Sequence, residues 1–195
     1  MRSLCVFAGS SPGARPDYAR AAAELGTAVA ARGWTVVYGG ASIGLMGVLA
    51  DAALAAGGRV IGVIPDALLR KEVAHGGLSE LRIVTTMHER KALMAELSDG
   101  VAALPGGFGT LEELFEMLTW AQLGFHQKPC GLLNAAGYFD PLLAFLDRSV
   151  SERFVHPAHR DILLSHASAE ALLDALESWV ARPFDKWLDR EGRAR

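Results

Sequence analysis

The run PGGFGTLEE, residues 105–113, concentrates more chemistry than any other stretch of the sequence. It follows an apolar segment and opens an amphipathic one. Gly106, Gly107 and Gly109 let a ligand approach the backbone closely. A helix starting near Gly109 or Thr110 would present unpaired N–H groups and a partial positive charge, which suit a phosphate. Phe108 and Leu111 sit within this turn, and Thr110 adds a hydroxyl donor. Glu113, with Glu112 before it, is expected on the first turn of the helix, facing the same mouth. The spacing also fits a T-x-x-E capping box, in which Thr110 and Glu113 merely close the helix end. The local pattern leaves phosphate binding and capping equally open. The G-x-G-x-x-G dinucleotide fingerprint is absent from this turn.

Three further runs carry candidate chemistry. In YGGASIGLMG, residues 38–47, Gly39 and Gly40 end a strand-like run while Gly44 and Gly47 open a helical one. These glycines could form a second backbone cradle for phosphate or ribose, or could serve tight strand–helix packing, and packing weighs slightly more. In TTMHERKALM, residues 85–94, His88, Glu89, Arg90 and Lys91 open a helix. Adjacent residues on a helix point in different directions, and an arginine can clamp phosphate or hydroxyl oxygens bidentately. A solvated charged turn is the plain alternative. The segment lacks the H-E-x-x-H spacing of a zinc site. GSSPG, residues 9–13, matches G-x-S-x-G, but Pro12 directly follows the would-be nucleophile Ser11. Gly9, Ser10 and Ser11 are better read as ligand contacts than as a serine hydrolase elbow. His75, His126, His156, His159 and His166 show no metal-ligand spacing, so no metal is expected. The tryptophans read as packing residues, with Trp120 the one to watch because it shares the helix of PGGFGT.

These runs need a scaffold that brings them together. Short apolar segments at 4–8, 35–38, 59–64, 81–85, 101–104, 130–133 and 161–164 alternate with helical patterns at 17–32, 45–56, 88–97, 110–123, 141–151 and 169–180. Alternation of this kind implies right-handed βαβ units and a mostly parallel sheet covered on both faces, an α/β fold. Ligands bind such sheets beyond the carboxyl ends of the strands. Three glycine-bearing turns fall there, at AGSSPG, GGASIGLMG and PGGFGT, which predicts one site built by several loops. The segment 65–80, with Gly76, Gly77, Asp66, Arg70, Lys71 and Glu72, fits neither pattern and reads as an active-site loop.

Length and composition bound the rest. The chain has 195 residues, enough for one domain with a full core. We expect a single domain over 1–183 and a polar tail over 184–195 that frays. A net charge of −3 argues against nucleic acid as the partner but leaves room for a small anion in a locally positive pocket. No apolar run reaches the ~20 residues of a membrane span. Cys5 and Cys130 form no framework, which suits a reducing cytoplasm.

Taken together, PGGFGTLEE, GGASIGLMG and MHERKALM, in that family's order, resemble the LOG ("lonely guy") family of nucleoside 5′-monophosphate phosphoribohydrolases. The resemblance runs from FAGSSPG through nearly the whole chain. It implies a Rossmann-like three-layer fold and hydrolysis of the N-glycosidic bond of a cytokinin riboside 5′-monophosphate, and of AMP, to free base and ribose 5-phosphate. The family's catalytic arginine and glutamate fall on Arg90 and Glu113. Its nucleotide contacts fall on Glu72, on Arg90 with Lys91, on the run 107–113 and on Thr119. Ala41 departs from the pattern, since many members carry a third glycine there. The resemblance also implies a homodimer with the site near its interface, and no cofactor. Members often carry a lysine decarboxylase label, yet nothing in these residues supports pyridoxal phosphate chemistry. Two other readings share the glycine loops. One is a broader nucleotide nucleosidase in salvage, and the other is a non-catalytic nucleotide-binding or carrier module.

Overall fold

The computed structural model describes residues 1–69 and 74–181. Elements follow in the order β1 (Ser3–Phe7), α1 (Pro16–Ala31), β2 (Thr35–Tyr38), α2 (Gly44–Ala55), β3 (Arg59–Pro65), β4 (Glu80–Val84) and α3 (Met87–Glu96). They continue as β5 (Gly100–Ala103), α4 (Phe108–Gln122), β6 (Cys130–Leu133), α5 (Asp140–Ser151), α6 (Pro157–Arg160), β7 (Leu163–His166) and α7 (Ala169–Ser178). The strands form one parallel sheet in the order β4-β3-β2-β1-β5-β6-β7. Chain progression runs outward from β1 to β4, then returns to the centre and runs outward again from β5. The reversal lies between β1 and β5, where Leu4 pairs with Gly100 and Phe7 with Ala103.

Alternation along each strand divides the core into two layers. Leu4, Val6, Val36, Tyr38 and Val60 face α1, α2 and α7, whereas Cys5, Phe7, Val37, Val63 and Val101 face α3 and α4. Both faces are covered, so after Ser3 and Thr35 at their first positions the central strands are apolar but for the Tyr38 hydroxyl, and they carry no polar alternation. The result is the parallel sheet covered on both faces that the alternating pattern predicts, in the three-layer, Rossmann-like arrangement that the family resemblance implies. Gly26 brings α1 onto α2 at close range: a Cβ there would stand 2.4 Å from the Leu49 carbonyl oxygen.

Every expected element matches to within two residues, and the last strand is displaced by two at both ends. A strand was expected over 161–164, but residues 157–160 form a helical turn and β7 starts at Leu163. Pro157 opens that turn and the His156 ring accepts the Ala158 N–H, so the chain is held helical until Asp161. The segment 65–80 extends β3 to Pro65 and then turns through a short 3-10 helix, Asp66–Leu68. Beyond it the chain is pinned to the turn after β2. Ala74 bridges Ala41, the His75 N–H donates to the Gly40 carbonyl, and the His75 Nε2 lies 2.9 Å from the Asp51 carboxylate. Ala41 keeps this bridge and accepts the Tyr38 hydroxyl. The expected C-terminal tail and Glu72 lie outside the described residues.

Candidate active site

Loops from β1, β2 and β5 converge at the carboxyl end of the sheet, on either side of the strand-order reversal. Such a reversal opens a crevice in which open α/β sheets bind ligands. The Gly9 N–H donates to the Pro105 carbonyl, and the Leu45 N–H donates to the Gly9 carbonyl, tying the three loops together. Close packing at these contacts demands glycine. A Cβ on Gly44, whose φ is +60°, would stand 2.3 Å from the Ser10 carbonyl carbon, and one on Gly47 would stand 2.1 Å from the Ser42 oxygen. Gly40 has φ +80°. The packing reading of GGASIGLMG therefore accounts for Gly40, Gly44 and Gly47. Gly39 has a different neighbour, since its Cβ would stand 2.0 Å from Arg90 Nη2. Its bare backbone is the floor on which the guanidinium lies.

PGGFGT divides in the same way. A Cβ on Gly106 would collide with Thr110 Oγ1 at 2.1 Å, whereas Gly107 and Gly109 face open space. Helix α4 starts at Phe108 with Gly107 as its N-cap, earlier than the sequence pattern placed it. Thr110 is thus the third helical residue and does not cap. The T-x-x-E capping box does not form, and no side chain caps this end. Glu113 lies on the second turn, not the first, and points inward with 9% exposure. The first N–H groups of α4 have no partner within the helix and open beside Gly107 and Gly109. Phe108 projects outward at 93% exposure, and Leu111 is half-buried.

Helix α3 supplies the opposing wall. The Thr86 hydroxyl caps it by accepting the Glu89 N–H, and the Glu89 carboxylate accepts the Thr85 N–H. The charged-turn reading thus fits Glu89 and the exposed His88, but not the next two residues. Arg90 and Lys91 are both buried, and they diverge. Arg90 reaches across Gly39, with Nη2 3.9 Å from Glu113 Oε1. Lys91 Nζ lies 2.6 Å from Glu112 Oε1 and 3.0 Å from Glu116 Oε2. Burial alone would lower its pKa; the two carboxylates outweigh that and raise it. Lys91 is therefore held as an ammonium, the opposite of the deprotonated amine that Schiff-base chemistry needs. Beneath the pair, burial and then the Glu113 charge raise the Cys5 thiol well above its ordinary value, so it stays protonated.

Among the described residues, the buried charged or polar side chains are Arg90, Lys91, Thr110, Glu113 and Ser98. All but Ser98 belong to this one crevice. Ser10 and Ser11 stand exposed at its rim, where Ser11 Oγ accepts the Gly13 N–H. The chain runs on as a loop to Pro16 instead of turning directly into a helix, so no nucleophile elbow forms. Glu112 is exposed apart from its Lys91 contact. Thr119 lies about 9 Å farther along α4 than Glu113 at ~1.5 Å per residue, exposed, donating to the Phe115 carbonyl. It is not gathered with the others within this chain. Trp120 packs against the core layer under α4. A separate cleft of ≈ 580 Å³ between the ends of α4 and α7 contains none of the motif residues.

A fourth loop, unnoticed in the sequence, completes the mouth. After β6, Asn134 accepts the Phe139 N–H and donates to Asp140, and the Tyr138 hydroxyl donates to the Gly106 carbonyl at 2.6 Å. Its signal was the turn sequence Asn134 to Gly137 at the end of an apolar strand, the same position as the three recognised loops.

Fold and site define a Rossmann-like α/β protein with a buried arginine–carboxylate pair at its switch point. A family model described as possible lysine decarboxylase matches residues 46–176. A cytokinin riboside 5′-monophosphate phosphoribohydrolase of Arabidopsis thaliana is 50% identical over 181 residues, covering 93% of this chain and 85% of that protein. A probable enzyme of the same name from Oryza sativa subsp. japonica is 51% identical over 184 residues, covering 94% and 75%. The chain belongs to this cytokinin riboside 5′-monophosphate phosphoribohydrolase (LOG) family. Among solved structures, the molybdenum cofactor carrier protein of Chlamydomonas reinhardtii superposes with TM-score 0.69 at 22% identity, over 90% of this chain and 96% of that one. The molybdenum cofactor binding protein of Rippkaea orientalis gives 0.68 at 24% identity, over 91% and 97%. At those identities the likeness is one of fold alone.

Proposed function

We propose that this protein hydrolyses the N-glycosidic bond of cytokinin riboside 5′-monophosphates, and of AMP, releasing the free base and ribose 5-phosphate. Family membership makes it an N-glycosyl hydrolase. The observation that carries the residue roles is the buried Arg90–Glu113 pair beside the open N-terminus of α4. The 5′-phosphate sits on the N–H groups at Gly107, Phe108 and Gly109, with the Thr110 hydroxyl beside them. Binding energy from that end positions the anomeric carbon over the pair.

As the C–N bond breaks, positive charge builds on the sugar. The Glu113 carboxylate stabilises it and takes a proton from the attacking water, whose oxygen bonds to the anomeric carbon. The base leaves with the bonding electrons and picks up a proton. Arg90 holds ribose or phosphate oxygens and orients the Glu113 carboxylate beside it. Glu72 and Thr119 are assigned as further nucleotide contacts on family grounds.

A cytoplasmic homodimer belongs to the same reading. Helix α5 has no fully buried residue although it carries Leu142, Leu143, Phe145 and Leu146, with Phe145 64% exposed. No helix among the described residues is long and apolar enough to cross a membrane. The test is incubation with AMP, GMP, CMP and isopentenyladenosine monophosphate, with chromatography for released base and light scattering for mass. Base release from the adenine nucleotides by a dimer is the expected result. Release from none of them would leave a binding module.

A further inference from the structure

We propose that Tyr138 is a positioning residue for phosphate binding, its hydroxyl locking the Gly106–Gly107 peptide so that donors alone face the ligand. This rests on the proposed placement of the 5′-phosphate at α4. An anion cradle fails if a carbonyl oxygen swings into it, and three successive carbonyls lie at this turn. That of Pro105 accepts the Gly9 N–H at 3.1 Å, and that of Gly107 accepts the Leu111 N–H at 3.1 Å. The first is fixed by the neighbouring loop and the last by the helix. The one between, on Gly106, is held by Tyr138 Oη at 2.6 Å.

This middle peptide has the most need of a restraint. It joins two glycines; Gly106 packs on Thr110, but the space around Gly107 is open and neither residue has a Cβ of its own to resist rotation. In a trans peptide the C=O and the following N–H point in opposite directions. Holding the Gly106 oxygen on Tyr138 therefore fixes the direction of the Gly107 N–H, next to the first N–H groups of α4. The tyrosine is itself well fixed. Its ring meets Tyr18 edge-on at 5.5 Å and Phe139 at 5.0 Å, and Asn134 braces the turn that presents it.

Tyr138→Phe removes the hydroxyl and keeps the ring contacts, so the fold should survive. The expected result is a KM for AMP raised about five- to tenfold, the worth of one hydrogen bond, with kcat within about twofold of wild type. In a Glu113→Gln background, calorimetry should show affinity for ribose 5-phosphate falling by the same factor, with affinity for adenosine unchanged. A purely structural role would weaken both ligands together, and that outcome overturns the proposal. So does an unchanged KM, or a loss confined to kcat. Should the wild-type protein release no base, the activity reading fails, while the ribose 5-phosphate titration still decides the role of Tyr138; no binding there by the parent protein overturns it.

Discussion

Glu113 and Arg90 are charged groups kept almost out of water, 3.9 Å apart, with no side-chain cap at the helix end to explain the carboxylate. Burying such a pair seldom adds stability, so chemistry is the better account of it. Glu113→Gln should cut kcat on the order of 10³-fold, while nucleotide binding measured by calorimetry persists. Near-normal turnover would remove Glu113 from the mechanism. Arg90→Ala should be comparably impaired, and Glu112→Gln should lose far less. A subtler substitution tests placement without deleting any functional group. Gly39→Ala puts a methyl 2.0 Å from Arg90 Nη2. A flexible side chain can retreat from it at little cost, so thermal stability should change little. Displacing the guanidinium by about 1 Å should nonetheless lower kcat on the order of tenfold to a hundredfold. A fully active Gly39→Ala enzyme would show that the position of Arg90 over that glycine is immaterial.

At the level of elements, what was legible followed from local pattern and what was missed followed from contacts between segments. The buried strands declared themselves because both faces of the sheet are covered, and β2 and β6 match the expected limits. The loops after β1, β2 and β5 were legible through their glycines. Sequence could not tell a glycine that packs, such as Gly44, from one that opens a surface, such as Gly107, because the difference lies in the opposing loop. Lys91 illustrates the same limit. Sequence set it beside Arg90 for nucleotide oxygens and gave no sign that its ammonium joins α3 to α4 through Glu112 and Glu116. Those carboxylates are four apart on one helix and repel each other without it. Lys91→Met should lower unfolding free energy by about 1–3 kcal/mol in chemical denaturation near neutral pH. The folded-state pKa of Lys91 is raised, so its contribution is full below the unfolded value. It is lost as pH rises through the folded one. The stability gap between wild type and Lys91→Met should therefore hold at pH 8 and shrink in strong alkali. A gap independent of pH would locate the loss in packing alone.

Across the whole molecule, the two ends of the sheet divide the work. The carboxyl ends of the strands carry the glycine loops, the charged pair and the open helix N-terminus. The amino ends carry a strap. The Asp99 carboxylate accepts from the Arg2 N–H at 2.6 Å and the Ser3 N–H at 3.0 Å, joining the start of β1 to the start of β5. These are the two strands that flank the site at their other ends, about 13 Å away along a four-residue strand at ~3.3 Å per residue. Burial would raise the Asp99 pKa, and the two backbone donors and the Ser3 hydroxyl outweigh it and lower it. A lowered folded value contributes stability that is present above the unfolded aspartate pKa and is lost as pH falls through the folded one. Asp99→Asn should thus be less stable than wild type at pH 6, and the two denaturation midpoints should converge below the ordinary aspartate range. Because the strap lies at the far end of the sheet, kcat and KM for AMP should stay at wild-type values in the same variant. A changed kcat would mean that the pairing of β1 with β5 transmits the strap's state to the Arg90–Glu113 pair.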